Sequence, residues 1–277
     1  MSQLQNPRFR VQEPIRRMHG NRVPYLLLER GVLRVDGHAL LLLQEKETWE
    51  IPGSLVSCLM LAPGISVTHE AVKLAGESGI LMLWVGEGCT RLYAASHHSH
   101  APDKLIAQAI MHADVKARIQ AAQRLYSLMF AEPMPPSYTI EKLRGLEGSK
   151  VRAIYQTLAD KHGMEWTGRA GKTLLNECIG FATSCLYAVS EVAILASGYS
   201  PSIGVIHSGD ARSMVYDLAD TVKFTTVIPL AFEVAKSKPA NSNTAMRHAC
   251  RDMFVQDKLV ERLFSNLQFI LGSATCT

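Results

Sequence analysis

The sequence is short of charge. Of its 277 residues 19% are charged, and 29 Lys and Arg against 25 Asp and Glu leave a formal net charge of only +4. The pI of about 8.7 falls below the value of roughly 9 at which a domain declares itself a nucleic-acid binder. Any basic surface must therefore be local, and residues 1–34, with seven Arg against two Glu, are the first place to look. Long apolar runs are also missing. Ala39 to Leu43 meets Gln44, and the stretch from Leu186 to Ala196 carries Glu191, short of the ~18–20 uninterrupted apolar residues of a membrane span. The six cysteines show no CxxC spacing, and the opening MSQLQNPRFRVQEPIRR has no apolar core of secretory length. These absences imply free buried thiols, a cytoplasmic location and no membrane partner. A hydrophobic content of 47% without low-complexity bias excludes disordered and collagen-like chains.

Familiar catalytic signatures are missing too. Gly171-Lys172-Thr173 resembles the end of a phosphate loop, but the glycine that such a loop needs five residues earlier is Trp166. It is read instead as the entry to a helix. His69-Glu70 lacks the second His of a zinc-protease motif, there is no GxSxG elbow, and HHSH at 97–100 has no acidic neighbour to complete a metal site.

What is present divides into two. Residues 23–61 are short apolar runs punctuated by Gly, Pro and Asp-Gly, which predict strands. Thr68 to Ala75 predicts a short helix capped by Thr68, and ILMLWVGEG and TRLYAA predict two more strands. After SHHSHAP the period changes. Leu105, Ala109, Ala113, Ala117, Ala121, Leu125 and Met129 recur every four residues, predicting one long helix. Helices are further predicted at 139–162, 174–197, 212–236, 243–254 and 256–271, the second of these apolar enough to be the buried centre of a bundle. The expected fold class is α+β: a β-rich domain at 1–94, a linker at 95–102 and an all-α domain at 103–277.

Three segments of the helical half hold the chemistry-bearing residues. In LRGLEGSKVR (143–152), Glu147 sits between two glycines with Arg144, Lys150 and Arg152 nearby. A carboxylate at the start of a helix, facing the macrodipole, is the plain reading. In PSIGVIHSG (201–209), His207 follows three apolar residues and precedes Ser-Gly, at the mouth of a packed segment; a satisfied core histidine would look the same. In VYDLADTVKF (215–224), Asp217 and Asp220 are three apart on one helix face beside apolar neighbours. Two carboxylates there repel unless a cation lies between them. Carboxylate and imidazole donors without thiolate suit Mg2+ or Mn2+ rather than structural zinc, and phosphoryl chemistry is their common work. Lys150, Arg152 and Lys223 could meet a DNA backbone, as could Arg247 and Arg251, four apart on another helix, while Tyr187 could stack a base. An ordinary solvated helix face explains the arginine pair equally well.

At these residues the sequence resembles the CRISPR-associated protein one family, the integrase-nuclease of spacer acquisition, in the subtype found with Cascade-type (I-E) systems. The similarity runs through IPGSLVSCLMLAPGISVTHEAVKLA, LRGLEGSKVRAIY, TSCLYAVSEVAILASGYSPSIGVIHSG and VYDLADTVKFTTVIPLAFEVA. It implies metal binding by Glu147, His207 and Asp220, with Asp217 supporting the site. It further implies a homodimer that clamps a small ferredoxin-like partner, the CRISPR-associated protein two. The implied activity joins 3′-OH ends of double-stranded DNA fragments to the CRISPR repeat by transesterification, and nicks branched DNA. A non-catalytic DNA-binding scaffold of the same fold and a metal phosphoesterase for small molecules are the alternatives. The chain departs from relatives at the loop after His207, where Asp210 stands in place of a Lys.

Overall fold

The computed structural model describes residues 15–17, 25–37, 39–53, 56–96 and 103–272. Strands come first and helices afterwards, as the change of period implies. The strands are β1 (Ile15–Arg17), β2 (Leu26–Leu28), β3 (Gly31–Asp36), β4 (Ala39–Leu43), β5 (Thr48–Pro52), β6 (Cys58–Leu61), β7 (Ile65–Val67), β8 (Leu81–Val85) and β9 (Leu92–Ala95). One sheet has the order β1-β5-β4-β3-β7 and the other β2-β6-β8-β9. β3 and β4 pair antiparallel with Asp36 opposite Ala39, as the Asp-Gly signal suggests. Continuous apolar runs mark strands covered on both faces. Leu40, Leu41 and Leu42 of β4 are all buried, as is every residue of β6. The short helix α1 (His69–Glu77) is capped by Thr68, whose hydroxyl accepts from the Ala71 amide.

The described helices of the second half are α2 (Asp103–Ala113), α3 (Val115–Phe130), α4 (Ile140–His162), α5 (Leu174–Ala196), α6 (Ser213–Lys223), α7 (Val227–Lys236), α8 (Ser242–Gln256) and α9 (Leu259–Leu271). Two expected helices are each broken. The long one through 105–129 stops at Asp114, whose backbone is extended and whose carboxylate caps α3 by accepting from the Ala117 amide. The one expected over 212–236 breaks at 224–226. Pro229, in the first turn of α7, has no N–H to continue the ladder from α6. The expected helix at Gly171-Lys172-Thr173 begins as read, with the Thr173 hydroxyl accepting from the Asn176 amide.

By length and composition α5 could cross a membrane, unlike the sequence reading of interrupted runs. Here it packs against α6, α7, α8 and α9 as the centre of the bundle. Cys58, Cys89, Cys178, Cys185 and Cys250 are buried; Cys276 lies outside the described residues.

The chain forms two compact units: Met1–Leu83 with Ala95–Ser99, and Trp84–Ala94 with His100–Thr277. Residues 84–94 group with the helices, although 84–85 and 92–94 belong to strands β8 and β9. The cause is local. A 3-10 turn at Glu87–Cys89 packs on α5 and α8, and Arg251 of α8 reaches Glu87 at 3.1 Å. Most of the expected linker, including HHSH, lies outside the described residues.

Candidate functional site: an imidazole among three carboxylates

Glu147 is not at a helix start. Thr139 caps α4, so Glu147 lies two turns inside it, beyond the reach of the orphan amides of the first turn. What holds it is Tyr126 of α3, a buried side chain whose hydroxyl donates to Glu147 Oε2 at 2.6 Å. Burial, then the hydrogen bond to Glu147, pushes the Tyr126 hydroxyl well above the usual phenol range. It stays a donor at any ordinary pH.

His207 stands on the loop between α5 and α6. Gly204, Val205 and Ile206 before it are buried, and its own ring is 41% exposed. Asp217 of α6, only 1% exposed, organises this loop. Its Oδ2 accepts from the amides of Val205 at 2.5 Å and Ile206 at 3.0 Å, and its Oδ1 from that of His207 at 3.1 Å. Oδ1 also lies 2.7 Å from His207 Nδ1. A carboxylate acceptor requires the proton on Nδ1 and leaves Nε2 as the free nitrogen. Gly204 is needed because a Cβ there would lie 2.8 Å from Asp217 Oδ2 and 2.9 Å from Ser213 Cβ.

The His207 imidazole is shifted toward its charged form. The hydrogen bond to Asp217 is the largest cause; burial opposes it, and the charges of Asp217, Asp220 and Glu147 add to it. Three carboxylates from α4 and α6 therefore act on one ring. Asp217 and Asp220 are not a repelling pair, because each has its own partner. Asp220 accepts from Lys223 Nζ at 3.0 Å, with the two side chains 13% and 7% exposed. Burial works against the Lys223 charge, but Asp220 and Tyr187 outweigh it and raise its pKa.

Aromatic rings and cations lie alongside. Tyr187 of α5 and Tyr216 of α6 have ring centroids 5.0 Å apart, and His207 meets Tyr216 edge-on at 5.6 Å. Arg212 stands over both tyrosines, and Lys223 stands 5.7 Å from the Tyr187 centroid. Other expected phosphate ligands have different partners. Lys150 pairs with Glu132 and stands over the Phe130 ring. Exposed Arg152 donates to the Gly148 carbonyl. Arg251 is paired with Glu87 and Asp252, while the pKa of the Cys185 thiol is lowered first by its hydrogen bond with Cys250 and further by Arg91 and Arg247. Tyr126, Arg212 and Tyr216 were not singled out in the sequence. Tyr126 adjoins Leu125 of the four-residue apolar repeat and is buried beside it, which hides a polar role.

Whether these donors fit a metal ion is a question of type and of spacing. Two carboxylates and an imidazole with Nε2 free are the donors a hard or borderline divalent cation takes. Their spacing is looser. Among the described residues, no group of three or more His, Cys, Asp and Glu is arranged to hold an ion as it stands. Lys223 and Tyr126 instead compensate Asp220 and Glu147.

A β-rich portion followed by helices has counterparts among known proteins. The family described as CRISPR associated protein Cas1 matches residues 129–268. The CRISPR-associated endonuclease Cas1 of Escherichia coli (strain K12) is 42% identical over 263 residues, covering 91% of this chain and 86% of that one. A crystal structure of TtCas1 superposes with a TM-score of 0.82 at 31% identity, covering 92% of this chain and 100% of that one. A TtCas1–DNA complex gives a TM-score of 0.80 at 30% identity, covering 90% and 96%. The chain belongs to the Cas1 family.

Proposed function

We propose that the chain is a Mg2+- or Mn2+-dependent DNA endonuclease and integrase of CRISPR adaptation. The carrying observation is geometric: Asp217 Oδ1 lies 2.7 Å from His207 Nδ1 and leaves Nε2 free, while Tyr126 holds Glu147 and Lys223 holds Asp220. Family membership, the endonuclease name of the 42% identical relative and the DNA bound in the TtCas1 complex support it.

Glu147, Asp220 and Nε2 of His207 would hold the ion. Bound there, the ion would screen the phosphate charge and lower the cost of deprotonating the attacking hydroxyl. The chain's own residues do the rest. Asp217 fixes the tautomer and orientation of His207, as a second carboxylate does for a ligating histidine. Tyr126 occupies one oxygen of Glu147 and fixes its rotamer. Lys223 compensates Asp220 in a half-dry setting. The Tyr187 and Tyr216 rings, with Arg212, offer a stacking surface beside a cation, which suits a base and its phosphate. In the reaction, a 3′-OH attacks phosphorus, one P–O bond forms, the bond to the repeat strand's oxygen breaks, and the proton passes to the departing side. Hydrolysis replaces the 3′-OH with water.

The same reading includes double-stranded DNA, a homodimer and a small ferredoxin-like partner, which the family resemblance supports, and a cytoplasmic location, which rests on the sequence pattern alone. Labelled 3′-OH DNA, a CRISPR repeat target, Mg2+ and the small partner form the test. Asp220→Ala should abolish joining. A variant that joins at the normal rate would overturn the reading, and binding without joining by the unaltered chain would favour the scaffold.

A further inference from the structure

His207 has no helix or strand to fix it, so its place depends on the loop before it. That loop is held from two sides. The amides of Val205, Ile206 and His207 all donate to Asp217. The carbonyl of Ser200 and, in unbroken succession, those of Ile203 to Ile206 accept from side chains on three other helices. On α2, Gln108 Nε2 donates to the carbonyls of Ser200 at 3.0 Å and Ile203 at 2.7 Å, while its Oε1 accepts from the Ser200 amide. His112 Nδ1 lies 2.7 Å from the Gly204 carbonyl, which requires a proton on that nitrogen. Arg118 Nε of α3 donates to the Val205 carbonyl at 2.7 Å. Arg144 Nη2 of α4 donates to the Ile206 carbonyl at 2.6 Å.

We propose that Gln108, His112, Arg118 and Arg144 are positioning residues that set where the His207 ring stands. The inference rests on the nuclease reading of the site. Gln108 is 1% exposed, so its three hydrogen bonds are made without water. Fixing four long side chains costs side-chain entropy at each, and all four act on the seven residues before His207. Arg144 lies one helical turn before Glu147, so one helix carries the Glu147 carboxylate and grips the carbonyl next to His207. Loss of a grip lets the ring drift relative to the carboxylates, and misplacement of about 1 Å can cost on the order of a hundredfold in rate.

His112→Ala and Arg118→Ala test this, with His112→Asn as the conservative variant, since the Asn amide can donate where Nδ1 does. Three quantities are measured on the full chain. They are amide hydrogen exchange over 203–207 with the α5 core as control, the His207 ring resonances, and cleavage of a branched DNA duplex with Mn2+. Exchange over 203–207 should quicken about tenfold in the Ala variants while the core stays protected. The His207 resonances should shift or double, and kcat should fall about tenfold or more with DNA affinity unchanged. His112→Asn should restore all three. Unchanged exchange and resonances in both Ala variants would overturn the proposal, as would a loosened loop with undiminished kcat. If His207→Ala cleaves like the unaltered chain, the nuclease reading falls. The exchange and resonance measurements still decide the positioning claim.

Discussion

Asp217 and Asp220 look like twins in the sequence and do opposite work. Asp217 is an internal acceptor for three amides and an imidazole, whereas Asp220 is paired with a buried lysine. Spacing put both on α6, but their partners come from the preceding loop and from Lys223. Asp217→Ala would strand three amides in or near the interior. Loss of about 3–5 kcal/mol of unfolding free energy is expected, the usual cost of breaking a buried charged network, and urea titration measures it. Tyr126→Phe removes one hydroxyl from a buried ring and should cost only about 1 kcal/mol. Cleavage should nevertheless fall by more than stability does, because Glu147 loses the bond that fixes its rotamer; single-turnover rates beside a melting curve would separate the two. Glu147 itself was legible as a chemistry-bearing residue, yet its placement at a helix start was not right. The helix expected over 139–162 already begins at Thr139, its observed cap, which leaves Glu147 two turns inside.

At the scale of elements, the sequence pattern located helices better than their breaks. The four-residue apolar repeat runs through Ala113 and Ala117 without a flaw, so nothing apolar marks the break between α2 and α3. The mark is Asp114, a capping residue, just as Pro229 marks the separation of α7 from α6. Both signals were present but outweighed by periodicity. The separation of α2 from α3 matters for the site, because Gln108 and His112 lie on the first and Arg118 on the second. Asp114→Ala should destabilise by about 1 kcal/mol, the worth of a typical N-cap, read as a lower melting temperature. Gly204→Ala should do more. Its Cβ would enter the space of Asp217 and Ser213, and forced overpacking typically costs about 1–3 kcal/mol. Cleavage should drop with it, since the loop that carries His207 must move. The grips on the loop were illegible, because side-chain to carbonyl bonds spanning 62 to 95 residues leave no periodic trace.

For the whole molecule, the order of strands and then helices followed from the change of hydrophobic period, and it is the order observed. The assignment of residues 84–94 to the helical unit did not follow from it. Those residues read as strand and turn, and only the packing of Glu87–Cys89 on α5 and α8 reveals the allegiance. Charge shows a similar division between composition and placement. A net +4 conceals cations in very different states: Lys223 buried on Asp220, Arg251 tied to two carboxylates, and Arg152 exposed with a backbone acceptor. Of the set, Arg152 is therefore the one we propose as a phosphate ligand. Arg152→Ala should reduce the slope of log K against log salt for duplex binding by about 1, and Arg251→Ala by less, as measured by fluorescence anisotropy between ~50 and 200 mM salt.

The central claim is that a nuclease site is built around His207. Its most direct test is Mn2+-dependent cleavage of a branched DNA duplex by the unaltered chain and by His207→Ala, with matched melting curves. The expected result is cleavage by the former, abolished by a chelator, and a loss of about a hundredfold or more in the variant. A folded His207→Ala protein that cleaves at the unaltered rate would contradict it.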